Sequence, residues 1–347
     1  MEKIFDSIFD AFRHFAPSSP LIQLENDGAR FFRRTNKYQI VDMENGYIGA
    51  FPGFPSMLYR GEYMEYKTCK ASIFRSGDPD DVIIDELKII EFRNILDTFP
   101  QVKYAIEDHT KVDYLALAQH YGLNTNLVDL SSEPEIAAYF ATHRWINGVP
   151  TPVVDGIGCI RGMLSPSMYM FGKEADPKFH MIGLQCFQRP GLQAAYGLEL
   201  DKDEDLNGRG WTVYFRQNAE ASNRIHMNFH LDDRKKEEML KIAKPGETIS
   251  PDTVLSQNSW LFPDEEISFV ADAVRKSKSI SKKTVDSYGK PCEEALKRKG
   301  ITINVEFAYK LSDERIKELE NEYKDRPYGD VELKARLVYI PQRKNNS

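Results

Sequence analysis

The chain has 347 residues, 41% hydrophobic and 29% charged, which is material for a full core and, by length, about two domains. Its 46 Lys and Arg against 53 Asp and Glu leave a formal net charge of −7. That balance excludes a generally basic nucleic-acid coat, so a nucleic-acid contact would need a local patch and is not favoured.

Ile4, Phe5, Ile8, Phe9, Phe12 and Phe15 recur at helical spacing and predict an N-terminal helix with one apolar face, docked on its own core or a partner. Asp6 and Asp10 interrupt that run, so it reads as neither a signal peptide nor a membrane span. Residues 20–58 read as short strands and turns. Helices are predicted over Asp85–Asp97 and Lys111–Tyr121, the second stopped by Gly122, and a buried strand over Asn126–Leu130. Ser132, Pro134 and Glu135 fit a capping box opening a helix over Ile136–Trp145. Residues 157–230 read as β-rich, with strands at Ile157–Ile160, Trp211–Phe215 and Ile225–Phe229. A helix follows at 233–243, and another near Asp264, whose carboxylate is placed to cap it.

Arg275 to Lys283 packs five basic residues into nine, which suits a helix C-terminus or a solvated linker better than a nucleic-acid contact. Beyond it come a helix over Glu293–Lys299, a strand over Ile301–Tyr309, a helix over Ser312–Lys324 and an alternating strand over Val331–Leu337. This tail reads as a small appended α+β unit. Cys69, Cys159, Cys186 and Cys292 contain no CxxC pair, so no metal site is expected. Four free thiols fit a reducing, cytoplasmic compartment.

Chemistry concentrates in four places. Tyr59-Arg60-Gly61 ends an apolar stretch with a guanidinium beside exposed backbone, a fork suited to phosphate or carboxylate; from spacing alone a salt-bridged strand-end arginine with a turn glycine is the favoured reading. Gln119 and His120 close an apolar helix and make a pocket wall or a helix cap. Asp129 sits inside a short apolar strand, where an acid needs hydrogen bonds or a cation; it is a structural anchor or a site group. Gln185 to Gln193 forms an amide-rich loop around Pro190-Gly191, which closes a turn or binds a carboxamide or sugar hydroxyl. No Walker loop, HExxH or EF-hand pattern is present.

Together these segments resemble the FRG domain family. Tyr59-Arg60-Gly61 matches its name-giving tripeptide and Ser72-Ile-Phe-Arg75 its second Arg-bearing segment. Leu117 to Asp129 matches the Leu-Ala-Gln-His-Tyr-Gly-Leu block, Ala137 to Ala141 the helix after it, and Leu261-Phe-Pro-Asp264 the closing segment. Two positions depart: Asn126 stands where the family has Arg, and Leu130 where it has an aromatic. A cation for Asp129 is then expected from Arg60 or Arg75.

The resemblance implies an α+β fold, similar to the Arg-Ser-Glu class of ADP-ribosyltransferases, with central β-sheets, flanking helices and the small C-terminal extension. It implies three segments: 1–57 as a lead-in, 58–275 as the FRG domain, and 276–347 as a basic linker and C-terminal unit. It implies an NAD-dependent ADP-ribosyltransferase-like protein of the bacterial or phage toxin and defence type, with NAD as substrate and an unknown macromolecular acceptor. The alternative is a non-enzymatic module binding a nucleotide or a partner. Tyr59, Arg60, Gly61, Arg75, Gln119, Ser131 and Ser132 would bind the nucleotide. His120, Asp129 and Gln193 would be catalytic, with Glu199 the other candidate for the third position.

Overall fold

The computed structural model describes residues 3–22, 37–42, 48–51, 55–146, 148–165, 178–247, 255–324 and 332–338. The Pro-Gly turn at 52–54 lies outside them. In chain order the strands are β1 (Ile4–Phe5), β2 (Lys37–Asp42), β3 (Ile48–Phe51), β4 (Met57–Glu62), β5 (Leu127–Ser131), β6 (His143–Ile146), β7 (Val149–Pro152), β8 (Ile157–Leu164), β9 (Phe179–Met181), β10 (Ala195–Glu199), β11 (Trp211–Arg216), β12 (Ser279–Ser281), β13 (Thr302–Asn304) and β14 (Glu332–Val338). The helices are α1 (Ile8–Phe15), α2 (Pro79–Leu96), α3 (Pro100–Glu107), α4 (Tyr114–His120), α5 (Pro134–Thr142), α6 (Gln188–Leu192), α7 (Ala219–His230), α8 (Asp233–Ile242), α9 (Glu266–Lys276), α10 (Lys282–Tyr288), α11 (Glu293–Arg298) and α12 (Asp313–Tyr323).

The architecture is α+β around a mixed seven-stranded sheet in the order β1-β11-β8-β4-β5-β10-β9. All its pairings are antiparallel except β1 with β11. Strand alternation gives each face its own occupants. Ile160 and Phe215 look toward α1, α5 and α7 and join Phe12, Ala137 and Phe229 in one core. Leu58, Val128, Leu130, Tyr196 and Leu198 form a second core on the opposite face.

Gly61 is what lets α5 lie directly on β4. A Cβ there would stand 1.7 Å from the Ala137 carbonyl oxygen, so no other residue permits this approach. The apolar N-terminal run divides in two. Only Ile8 onward is helical, capped by Ser7, whose hydroxyl accepts from the Asp10 N–H at 3.1 Å. Ile4 and Phe5 instead add a short parallel strand beside Tyr214 and Phe215. The helix buries Ile8, Phe9 and Phe12 in its own core.

Several local expectations are corrected. The helix expected over Ile136–Trp145 stops at Thr142, and His143–Ile146 forms strand β6 instead. Ile225–Phe229 is part of helix α7, not a strand: Asn218 caps its start, accepting from Glu220 N–H and Ala221 N–H, and Ala221, Ile225 and Phe229 bury at a four-residue period. The capping box at Ser132 does not form, because α5 starts one residue later. Glu133 takes the cap position, its N–H donates to the Ser131 hydroxyl, and the Glu135 carboxylate is taken by Ser19. Asp264 does not cap α9 either; the cap position falls on Glu265, whose carboxylate accepts from Tyr121 and from the Gln188 N–H.

In the C-terminal stretch, the strand expected over Ile301–Tyr309 shortens to the three residues of β13, parallel to β12. Ile280, Cys292 and Leu296 pack on Ile84 and Leu87 of α2. Glu91 of α2, fully buried, accepts from Ser281 N–H and Oγ–H, Thr284 Oγ–H and Ala308 N–H. The basic run is distributed: Arg275 and Lys276 pair with Asp272 in the last turn of α9, and Lys282 pairs with Asp286.

Candidate functional site

Strands β4 and β5 are paired through a single residue couple, Tyr59 with Ser131, and diverge from there. The divergence leaves the Asp129 carbonyl without a strand partner on β4. Arg60 supplies one, its Nη1 donating to that carbonyl at 3.0 Å while its Nε donates to Glu62 at 3.2 Å.

Register then decides which side chains meet. Arg60 lies opposite Arg161, and Glu62 opposite Cys159, so these four share the face of Leu58. Tyr59, Gly61 and Ser131 share the other face, and with them Asp129, two residues from Ser131. Arg60 thus reaches the backbone of Asp129 and not its carboxylate. Arg75, at the end of a short 3-10 turn, is exposed and donates to the Lys70 carbonyl. Neither arginine provides the cation expected for Asp129. That carboxylate is held by an amide instead.

The hydrogen-bond chain around Asp129 has assignable directions. The Thr125 hydroxyl accepts from the Leu127 N–H at 3.0 Å and donates to Gln119 Oε1 at 2.6 Å, which turns the Gln119 amide nitrogen to Asp129 Oδ2 at 2.8 Å. On the far side, Gln193 Nε2 donates to the Leu261 carbonyl at 3.1 Å. Its Oε1 therefore accepts from His120 Nδ1 at 2.9 Å. In the neutral imidazole this leaves Nε2 as a bare acceptor. It stands 3.7 Å from Asp129 Oδ1, and neither atom has a hydrogen-bond partner among the described residues although both are buried. At 3.7 Å no atom fits between these two acceptors; a water meets both only from the side, at ordinary hydrogen-bond distance from each.

Backbone geometry supports this placement. Ala194 adopts φ +45°, a left-handed conformation that costs a non-glycine residue about 1 kcal/mol. The bend brings the Gln193 carbonyl to the Ser131 hydroxyl at 2.8 Å and the Ala194 carbonyl to the Ser132 N–H at 3.1 Å. Ser131 and Ser132 are thereby committed to joining β5 to the Gln193 turn. Arg189 closes the back: its Nη1 donates to the His120 carbonyl at 2.9 Å and its guanidinium lies 4.1 Å from the Tyr121 ring centre. Burial holds this arginine below its ordinary pKa, while Tyr121, buried beside Glu265, is pushed well up.

The Arg60 face works by charge. Glu62 accepts from Arg60 at 3.2 Å and from Arg161 at 2.8 Å, and Cys69 donates to it at 3.3 Å. Burial alone would raise the Glu62 pKa, but the two guanidiniums outweigh it and hold the carboxyl below its ordinary value. Tyr59, on the opposite face, packs against Phe15 and Trp211, with ring centres 6.1 and 6.3 Å away. Glu199 is also occupied: it accepts from His180 at 2.6 Å and from Asn126 at 2.8 Å.

The site therefore assembles Gln119, His120, Asp129, Ser131 and Gln193, joins Ser132 through its backbone, sets Arg60 across the sheet and leaves Arg75 apart. Residues 55–149 match the FRG domain. The match takes in β4, α4, β5 and α5, hence the Tyr59-Arg60-Gly61 strand and the Gln119–Asp129 half of the network; Gln193 and Arg161 lie beyond it. No curated protein and no solved structure matches the chain. Sequence reasoning missed Glu62, Arg161 and Arg189. Glu62 adjoins the tripeptide and was visible as an acid in an apolar strand, as Asp129 was; the other two carried no local signal.

Proposed function

We propose that the protein is an NAD-dependent ADP-ribosyltransferase-like enzyme whose reacting hydroxyl or water is held between His120 and Asp129. The observation that carries this reading is the pair of buried acceptors, each locked by an amide whose own direction is fixed. Such a pair removes a proton from a bound hydroxyl without rearranging, which is the requirement for a positioned general base. In the reaction, the bond from the ribose carbon to nicotinamide breaks and its electron pair leaves with nicotinamide. The acceptor oxygen bonds that carbon, and the acceptor proton passes to His120 Nε2, with Asp129 stabilising the imidazolium. Gln119 and Gln193 keep the two groups in place. NAD as the substrate rests on the resemblance of the Arg60 and Ser131-Ser132 segments to the transferase pattern, an analogy at fold level; the FRG match itself names no substrate.

A non-enzymatic nucleotide- or partner-binding module is the second reading. It is favoured by the commitment of Arg60 to Glu62 and to the Asp129 carbonyl, which occupies the group expected to grip the NAD phosphates. Incubation of the purified chain with adenylate-labelled NAD, in the presence of protein, nucleic acid or water alone as acceptor, separates the two. The enzyme reading expects nicotinamide release that is lost in Asp129→Asn. Nucleotide binding without release supports the module, and neither binding nor release removes both.

A further inference from the structure

Arg161 is only 5% exposed, and its guanidinium is incompletely used. Nε donates to Glu62 at 2.8 Å and Nη1 to the Thr212 hydroxyl at 3.1 Å, while Nη2, also buried, meets no acceptor among the described residues. Charge is out of balance here as well. Arg60 and Arg161 share the one Glu62 carboxylate, so this face of the sheet buries two guanidiniums against one anion. Buried excess charge is expensive until a counter-ion meets it. Arg161 also forms one wall of a small cavity of about 10 Å³, completed by Leu206, Asn207, Arg209, Trp211 and Thr212. That is room for about one oxygen-sized atom. Arg209 places a second guanidinium at this wall, carried on the loop after Leu206 and already paired through Nη2 with Glu204 at 2.7 Å.

We propose that this cavity is an oxyanion site, in which one oxygen of a phosphate group accepts from Arg161 Nη2 while the remaining oxygens stay at the mouth beside Arg209. With Nε and Nη1 already engaged, Nη2 offers directional N–H donors to a single oxygen position, which suits one oxygen of a phosphate-type group; a halide accepts without directional preference. The site lies on the sheet face opposite His120 and Asp129 and does not depend on their role. The phosphate belongs either to a free inorganic ion or to a nucleotide.

The test is thermal unfolding and tryptophan fluorescence of the full chain titrated with inorganic phosphate, AMP and chloride at matched ionic strength. Phosphate is expected to raise Tm and perturb the emission of Trp211, the perturbation disappearing in Trp211→Phe. Arg161→Lys keeps the charge but loses Nη2, and is expected to weaken phosphate binding at least tenfold. Arg209→Glu leaves the Arg161–Glu62 pair intact and serves if Arg161→Lys fails to fold; it is expected to weaken binding similarly. Tighter binding of AMP than of inorganic phosphate assigns the site to a nucleotide, and equal binding assigns it to the free ion. An equal effect of chloride, no effect of phosphate, or unchanged binding in folded Arg161→Lys or Arg209→Glu overturns the proposal.

Discussion

On one face of the seven-stranded sheet, Arg60, Glu62 and Arg161 meet as full charges; on the other, Asp129 and His120 are held by the neutral amides of Gln119 and Gln193. The charged group hangs from the paired strands β4 and β8, whereas the amide group joins Asp129 of β5 to the end of α4 and the turn after α6; His120 is buried and the Asp129 side chain is 36% exposed. The charged group is tied to stability, because removing one member strands the others in a medium that cannot solvate them. The amide group is not under that constraint. Its carboxylate and imidazole are oriented without being neutralised, which leaves two buried acceptor atoms 3.7 Å apart with no hydrogen-bond partner among the described residues. Neutral hydrogen bonds can position a reactive pair; an ion pair would have consumed it.

The largest effect that would break this contrast is on turnover. Asp129→Asn keeps the Gln119 contact and replaces the bare Oδ1 with an N–H that donates to His120 Nε2. In the proposed reaction, nicotinamide release is expected to fall by about 10²–10⁴-fold. Stability in urea is expected to hold or rise by about 0.5–1.5 kcal/mol as the gap closes. A loss of stability comparable to that of the charged face would erase the difference between the two.

Glu62→Gln is the matching experiment across the sheet. It strands two buried guanidiniums, and urea unfolding is expected to register a loss of about 3–5 kcal/mol. A change below about 1 kcal/mol would show that the cluster is solvated and not structural. Next in size is Gly61→Ala, which drives a Cβ into the Ala137 carbonyl and forces α5 off β4. A loss of about 1–3 kcal/mol is expected, with activity reduced through displacement of the strand next to Asp129.

The smallest effect concerns a second histidine, His180, which bridges Asp113 at 2.7 Å and Glu199 at 2.6 Å. Burial alone would lower its pKa, but the two carboxylates outweigh that and raise it above the ordinary 6.5. The bridge therefore contributes fully below about pH 6.5, and its contribution disappears as pH rises through the elevated value. Asp113 is shifted the other way, held below 3.8 by His180 against the effect of burial, so its share is lost as pH falls through that depressed value. Thermal unfolding between pH 6 and 9 is expected to show a decline in Tm that flattens in His180→Gln. An identical slope in the variant would remove His180 as its source.

Much of the fold was legible because local rules sufficed. The helix over Lys111–Tyr121 is recovered as α4, and the turn after it uses Gly122 at φ +89°. The strand at Asn126–Leu130 is recovered as β5, and Ser312 caps α12 where the pattern starts. Failures occurred where two rules competed. Ile225–Phe229 carries apolar residues that suit either period, and burial against α5 chose the helix. Ser132 and Asp264 carry good capping side chains one residue too early, because tertiary partners claimed the neighbouring carboxylates Glu135 and Glu265.

By itself, the sequence determined which residue types were available: an Arg-Gly strand end, a Gln-His helix end, an acid in an apolar strand and a glutamine shortly after Pro190-Gly191. Their identity follows from side-chain chemistry and short spacing, which a linear pattern preserves. Only the tertiary structure decided which of them share a face. Strand register turns neighbouring residues to opposite sides of the sheet, so Arg60 parts from Asp129 although β4 and β5 are adjacent. The turn at Gln193 brings an amide 73 residues away in sequence to His120. Arg161, without any local signal, becomes the buried partner of Glu62 because β8 pairs with β4. Those meetings depend on pairing and packing over long separations, and no local spacing encodes them.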